Sequence, residues 1–522
     1  MFALGIILGI YGYIIFFLGV FHLLFKQTVN FLSLLTILIT LFFYKELILQ
    51  KLSTVRKFFN KSDSPILFLI LLLALINFVG VLGPELSFDA LWYHLTLPKI
   101  YLSTHTISHI PGGLLYFSDM PRMIEMLYTG ALSIGNETIA KFAHFLFGIL
   151  ITISVYKISR FYLNRTYSLL ASLAFYSNLV VAWLSTTAYI DLGRTFYEVL
   201  ALWAFLLFEK NKKTQWLFIC SVLLGFAIST KLIAMGSLFI FSVLIVVQKR
   251  NILKNLLILN GVSLLIASPW FLFSFLNTGN PIYPFFTGRY DSALNLNPIK
   301  FFPAVFHELL FAQDPISPIY LIIVPLLLCY LYKFKKEIMV IPLYVLLGLI
   351  CWYVVPQTGG GRFLIAYLPA FSVLSLQVTN FVKDEVLKKI IIGLIVFIAV
   401  SSIFYRGVAN LRYLPVILGI ETKESFLTKN LNFNFGDFYD TDGYFQKNLN
   451  SKDSVLLFGF HNLYYVDFRF IDSSWVKKGD KFNYIAVQKT QIPQRFSDWK
   501  LVYNNNTTHV SLYTKDKEIW TY

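Results

Sequence analysis

The sequence predicts a mostly α-helical, polytopic membrane protein with a small α/β domain at its C-terminal end. Composition, the length of the apolar runs and the placement of loop charges carry that prediction. Hydrophobic residues make up 57% of the 522 residues and charged residues only 14%, against about 25% charged in soluble domains. A helix rises about 1.5 Å per residue, so about 20 apolar residues cross the hydrocarbon core. Leu, Ile and Phe fall in runs of that length.

In chain order the runs are 2–24, 30–49, 64–83, 138–158, 167–188, 191–208, 214–230, 231–247, 252–276, 316–332, 338–355, 363–380 and 388–405, thirteen expected crossings. The first run has no charge ahead of it and no small-residue cleavage site, so it reads as a retained helix. The stretch 118–135 is apolar too, but it carries Asp119, Arg122 and Glu125. It reads as an amphipathic helix lying at the interface in the first large outer loop.

A net charge of +16 would suggest nucleic acid in a soluble protein. Here the cations occupy short loops between apolar runs, which is how membrane orientation is encoded, so no nucleic-acid partner is expected. Lys45, Lys51, Arg56, Lys57 and Lys61 follow the second run; Lys157, Arg160 and Arg165 the fourth; Lys210, Lys212 and Lys213 the sixth. Lys249, Arg250 and Lys254 follow the eighth, Lys333, Lys335 and Lys336 the tenth, and Lys383, Lys388 and Lys389 the twelfth. Every cluster follows an even-numbered crossing and so lies on one side, which the positive-inside rule makes cytoplasmic. The expectation is a plasma-membrane protein with its N-terminus inside and its C-terminus outside.

Residues 1–406 are then the membrane domain and 407–522 an extracytoplasmic domain, where "SVLLFGF", "YIAVQK" and "HVSLYTK" read as strands between polar turns. Cys220, Cys329 and Cys351 all fall in apolar runs without metal-type spacing and read as small hydrophobes.

With this orientation, ionisable residues at the outer face become the functional candidates, because charge at that depth costs free energy. Asp89 lies just beyond the third crossing, Asp119 just before the interfacial helix, and Asp191 at the outer end of the fifth crossing. Lys141 begins the fourth crossing, Lys231 separates the seventh from the eighth, and Arg362 follows the glycines 359–361. Three carboxylates and three cations at one depth can converge, the first to take a proton from a hydroxyl and the second to hold a phosphate. Each also has a plainer reading. The aspartates stand where helices begin and can cap them, and the lysines can snorkel to the headgroups. Arg194, within a turn of Asp191, can simply pair with it. Tyr93 and His94 are additional candidates in the first outer loop. His94, His105 and His109 share that loop, but their spacing matches no standard metal motif. A divalent metal is left open and no cofactor is called for. The run "NTGNPIYPFF" after the ninth crossing reads as a stiff lip over the outer face.

Six segments resemble the GT-C superfamily of polytopic glycosyltransferases, closest to the branch of aminoarabinose transferases and protein O-mannosyltransferases. They are "FDALWYHLTLPKIYL", "YFSDMPRMIEMLY", "AYIDLGRTFYEVLALWAF", "GFAISTKLIAMGSL", "PWFLFSFLNTGNPIYPF" and "GRFLIAYLPAFSVL", spread over about residues 80–380. The resemblance implies transfer of a sugar from a polyprenyl-phosphate carrier to a hydroxyl of a lipid, glycan or protein acceptor, with inversion. It implies Asp89 as the first-loop catalytic carboxylate, Asp119 and Asp191 as the next acidic positions, and Lys231 and Arg362, with Lys141, as phosphate-side cations. Asp119 stands where several relatives have Glu, and Lys141 where Arg is commoner, which removes bidentate phosphate binding. A transporter or flippase, a ligase or polymerase of lipid-linked glycans, and a non-catalytic membrane scaffold whose outer domain binds a partner are the rival readings. Against the transporter, the charges gather at one face, and neither repeats nor matching broken helices are evident.

Overall fold

The computed structural model describes residues 1–59, 64–288, 294, 296–311, 316–334, 339–355, 360–516 and 518–522. Lys61, Lys335, Lys336 and Gly359 lie outside the described residues, as do the side chains of Lys51, Arg56 and Lys57. The chain begins with three long helices, α1 (Phe2–Val20), α2 (Lys26–Phe59) and α3 (Ser64–Leu82). The long loop after α3 holds the short α4 (Thr96–Thr104) and leads through α5 (Met123–Ile134) to α6 (Glu137–Ser159). Then come α7 (Arg165–Tyr176), α8 (Leu179–Leu184), α9 (Asp191–Asn211), α10 (Thr214–Thr230), α11 (Met235–Gln248) and α12 (Ile252–Thr278). The helical part closes with α13 (Phe301–Phe311), α14 (Ile319–Tyr330), α15 (Val340–Val354), α16 (Leu368–Phe381) and α17 (Glu385–Leu411).

Among the described residues, six helical stretches are long and apolar enough to cross a membrane, by length and composition: Phe2–Val20, Lys26–Lys45, Ser64–Leu82, Glu137–Ser159, Ile252–Thr278 and Glu385–Leu411. The other expected crossings fall on shorter apolar helices such as α10, α14 and α15, on the α7–α8 pair interrupted at Ser177–Asn178, or on α9, whose first turns carry Asp191, Arg194 and Glu198.

The stretch 118–135 departs from its expected form. Its start is a 3₁₀ turn at Tyr116–Asp119, and ten of the twelve residues of α5 are buried. An amphipathic interfacial helix would leave one face outward; α5 instead packs against α1, α2, α4 and α6. Gly130 permits this closeness, since a Cβ there would stand 2.0 Å from the hydroxyl oxygen of Tyr11 on α1. Arg122 and Glu125, which gave the segment its polar character, point inward at each other and at His94.

The C-terminal sheet contains β1 (Val455–Phe458), β2 (Phe470–Asp472), β4 (Tyr484–Gln488), β5 (Lys500–Asn505) and β6 (Val510–Thr514) in the order β2-β1-β4-β6-β5. The strand β3 (Lys481–Phe482) pairs separately with β7 (Trp520–Thr521). β1 runs parallel to β2 and β4, while β6 is antiparallel to both its neighbours. The three segments expected as strands from their apolar runs are its central ones: Leu456, Ile485 and Leu512 of β1, β4 and β6 are each at most 1% exposed.

This domain sits on the loop that follows α3. The Lys99 ammonium donates to the carbonyls of Tyr464 and Val466 at 2.7 and 2.9 Å. The Tyr464 amide donates to the Leu91 carbonyl at 3.2 Å. Gly112, at φ +90°, lies so close that a Cβ would meet the Ser474 carbonyl oxygen at 1.8 Å, a contact only glycine allows.

Candidate active site

The site is assembled from turns that interrupt apolar helices. Beyond α3, the buried Glu85 carboxylate accepts the amides of Leu86 and Ser87, each at 2.9 Å, and that of Ala188 at 2.7 Å. One carboxylate therefore ties the segment entering Asp89 to the segment entering Asp191. The chain then makes a π-turn over Ala90–His94, closed by the Leu95 amide on the Ala90 carbonyl at 2.9 Å. Such widened turns are rare and concentrate at functional sites. Asp89 precedes this turn and makes no capping bond with its side chain. Its amide donates to the Tyr189 hydroxyl at 3.2 Å, and its carboxylate accepts from Arg362 Nη1 at 2.7 Å.

Arg362 belongs to a 3₁₀ turn, Gly360–Leu364, entered through Gly360 at φ +53°. Its Nε stands 3.9 Å from Asp191 Oδ2 and its guanidinium covers the Tyr189 ring at 5.0 Å. The other Asp191 oxygen accepts from Lys231 Nζ at 2.9 Å. Lys231 is the residue at which α10 stops and the chain turns extended, with φ −156° and ψ 126°. Ending the helix there leaves the ammonium at the Phe363 ring, 4.7 Å from its centre. Charges thus alternate along Asp89, Arg362, Asp191 and Lys231. Asp191 is 1% exposed, while Lys231 and Arg362 keep 18% and 16% of their side chains accessible. The acid is a sealed anchor and the cations face an opening.

That opening is a cavity of about 330 Å³. Asp89, Tyr93, Lys231 and Arg362 line it together with Trp92 and Phe117. The Tyr93 ring is stacked on Phe117 with centroids 3.7 Å apart and planes 6° off parallel. Arg122 and Glu125 reach the same cavity. Glu125 accepts from His94 Nδ1 at 2.9 Å, so His94 is a buried partner of Glu125 and not itself part of the lining.

Two expected members stand elsewhere. Lys141 is fully buried, with its ammonium donating to the carbonyls of Gly80, Gly83 and Pro84 at 2.9, 2.7 and 3.4 Å. It closes the end of α3 and does not reach the other cations. Asp119 is also buried; its Oδ2 accepts from His109 Nδ1 at 2.8 Å and from the Ser118 hydroxyl at 3.1 Å. It braces the loop behind the cavity wall. Arg194 pairs with Glu198 at 2.5 Å and not with Asp191, because i,i+4 places that carboxylate above it on the same helix face. The three histidines of the first loop do not gather: His94 meets Glu125, His109 meets Asp119, and His105 packs on the Phe25 ring at 4.7 Å. Among the described residues no three His, Cys, Asp or Glu side chains form a metal-type group. The lip is a turn in which the Asn280 side chain bonds the Phe285 carbonyl and the Ile282 amide at 2.7 and 3.0 Å; it does not line the cavity.

Several site residues carry no sequence signal. Tyr189 holds both the Asp89 amide and the Arg362 guanidinium, yet reads in sequence as one apolar residue among many. His461 comes from the C-terminal sheet domain and packs on Phe88, with centroids 5.0 Å apart and planes 26° off parallel, and on Trp92 at 4.5 Å. Burial holds the His461 imidazole below the usual histidine range.

Residues 119–273 match the family described as dolichyl-phosphate-mannose-protein mannosyltransferase. The fold is similar to the crystal structure of ArnT from Cupriavidus metallidurans bound to undecaprenyl phosphate, with a TM-score of 0.62 and 13% identity over 87% of this chain and 98% of that one. It is similar to the apo state of the same ArnT with a TM-score of 0.61, 14% identity and the same coverage. A looser likeness, with a TM-score of 0.46 and 12% identity over 82% of this chain and 70% of that one, runs to the oligosaccharyltransferase AglB from Archaeoglobus fulgidus in complex with an inhibitory peptide and a dolichol-phosphate. No curated protein sequence matches. The resemblance read from the six motifs is borne out.

Proposed function

We propose that this chain, a polytopic membrane glycosyltransferase with the GT-C fold, moves a sugar from a polyprenyl-phosphate carrier to a hydroxyl acceptor at the extracytoplasmic face, with inversion. The observation that carries the reading is the meeting of Asp89 and Arg362, 273 residues apart in sequence, at 2.7 Å on the wall of one cavity with Lys231. Bringing charges together in a membrane bundle costs stability, and a donor that carries its own phosphate gives them a use.

In this mechanism Lys231 and Arg362 bind the phosphate of the donor. A phosphate oxygen at Arg362 competes with Asp89 for the same Nη1–H, so donor binding releases the Asp89 carboxylate. Asp89 then accepts the proton of the attacking hydroxyl as the new bond to the anomeric carbon forms on the face opposite the leaving oxygen. The bond between that carbon and the phosphate oxygen breaks, and the two cations stabilise the growing charge on the departing lipid phosphate. Asp191 stays ionised behind them and fixes their positions. The loop charges support a cytoplasmic N-terminus, which makes 1–406 the membrane catalytic domain and 407–522 an extracytoplasmic cover.

Incubating the purified protein with radiolabelled polyprenyl-phosphate sugars and an envelope extract tests the reading. Labelled product formed without any gradient is expected. Vectorial uptake of the lipid or sugar into proteoliposomes, with no new glycosidic bond, would overturn it in favour of a transporter.

A further inference from the structure

Asp191 is the first residue of α9, and Ile190 before it offers no capping side chain. A helix start leaves its first amides without partners in the helix, and a nearby carboxylate is a favoured acceptor for them. The Asp191 carboxylate is not spent in this way. One oxygen accepts from Lys231 Nζ at 2.9 Å; the other makes no hydrogen bond and stands 3.9 Å from Arg362 Nε.

The first-turn amide goes elsewhere. Leu192 N–H donates to Nε2 of His144, a residue of α6, at 3.0 Å. Nδ1 of the same ring lies 2.8 and 2.9 Å from the carbonyl oxygens of Leu184 and Thr187. Carbonyls can only accept and an amide N–H can only donate, so the ring proton is on Nδ1 and Nε2 is bare. The imidazole is neutral and fully enclosed. A charged ring would set a second N–H against that of Leu192. One side chain thus closes the turn before the helix and caps the helix itself.

The segment 184–192 shapes the site. Its Ala188 amide is held by Glu85, and its Tyr189 carbonyl accepts from the Tyr128 hydroxyl. Its Tyr189 hydroxyl receives the Asp89 amide. These bonds place backbone and ring; the bond to His144 also relieves Asp191. We propose that His144 is a positioning residue: by taking the Leu192 amide it leaves the Asp191 carboxylate free to hold Lys231 and to stand beside Arg362. Without that acceptor a buried amide is orphaned, which is costly, and it recruits the carboxylate of its neighbour Asp191. Lys231 then loses its anchor. The consequence for transfer rests on the transferase reading; the cap does not.

Two side-chain amides of different length separate the two tasks. His144→Asn puts an N–H near the place of Nδ1, keeping a donor for Leu184 and Thr187 but offering Leu192 no acceptor. His144→Gln brings an oxygen to the place of Nε2. The full-length protein in nanodiscs is assayed for transfer and for affinity to undecaprenyl phosphate. In His144→Asn both kcat and that affinity are expected to fall tenfold or more, while His144→Gln stays within about threefold of wild type. In an Asp191→Ala background, His144→Asn should lower the affinity by less than about threefold further, since no carboxylate remains to be diverted. Solid-state NMR of isotope-labelled histidine should show a neutral ring protonated at Nδ1, its signal identified by its loss in His144→Gln. Equal losses in the Asn and Gln variants, losses that multiply in the Asp191→Ala background, or a ring that is charged or protonated at Nε2 would overturn the proposal. If the wild-type protein forms no glycosidic bond, the transferase reading falls, and the spectrum and the lipid affinities still decide the role of His144.

Discussion

Two lysines at the ends of helices have opposite environments. Lys141 at the start of α6 is fully buried, and its ammonium bonds three backbone carbonyls. Lys231 at the end of α10 keeps 18% of its side chain accessible and makes one ion pair, to Asp191. The first is satisfied by the chain itself and has no donor capacity left for a ligand. The second stands on a cavity wall with N–H donors to spare, since an ammonium carries three. The charge is the same; what differs is whether the fold closes around the group or leaves it a face. The same distinction separates Asp89, on the wall, from Asp119, sealed against His109.

The largest effect that tests this contrast belongs to Asp89. Asp89→Asn is expected to lower transfer by about 10²–10⁴-fold, the range for loss of a general base, with expression and donor binding near normal; full activity in that variant removes Asp89 from the role. The lysines come next, as a matched pair. Lys231→Ala is expected to cost about 10²–10³-fold in kcat, together with some loss of stability because the buried Asp191 loses its partner. Lys141→Met should leave kcat of the folded fraction near wild type and instead lower stability by about 1–3 kcal/mol, because buried carbonyls lose their donor. A kcat loss in Lys141→Met equal to that in Lys231→Ala would break the contrast.

A sealed acid in the soluble domain sharpens it. Asp472, at the end of β2, is 3% exposed, and burial pushes its carboxyl up to about 6. The folded domain therefore holds this proton at pH values where the unfolded chain, titrating near 3.9, has released it. The stability it contributes is fully present below about pH 4 and is lost as pH rises through about 6, roughly 3 kcal/mol in total. Protection factors of the β1 and β2 amides, each taken relative to the intrinsic exchange rate at the same pH, should be lower at pH 7.5 than at pH 5, and Asp472→Asn should flatten that difference. The smallest effect is assigned to His461. His461→Ala removes the ring that packs on Phe88 and Trp92 and should lower kcat by about three- to tenfold, equivalent to the ~0.5–1.5 kcal/mol of an aromatic contact.

Much of the architecture is legible in residue order. Apolar runs announce the helices because crossing a bilayer demands continuous hydrophobicity, and three alternating segments near the end announce β1, β4 and β6. Asp89, Asp191, Lys231 and Arg362 are legible as charges where apolar helices break, but so are Asp119 and Lys141, and residue order alone does not separate the two groups. The inward turn of α5 is not legible, because Arg122 and Glu125 look the same facing headgroups or facing each other. Tyr189 and His461 are invisible for another reason: their roles depend on neighbours 100 residues or more away, on Asp89 and on Phe88 and Trp92.

The sequence by itself determined that this is a helical membrane protein with a small sheet domain, and which ionisable residues stand where its apolar helices break. Periodicity and run length are local properties, so one strand of text carries them. Only the tertiary structure decided which charges meet and which are enclosed. Arg362 reaches Asp89 across 273 residues, while Lys141 closes on the carbonyls at the end of α3. That choice follows from how helices pack, and packing is settled by the whole chain at once.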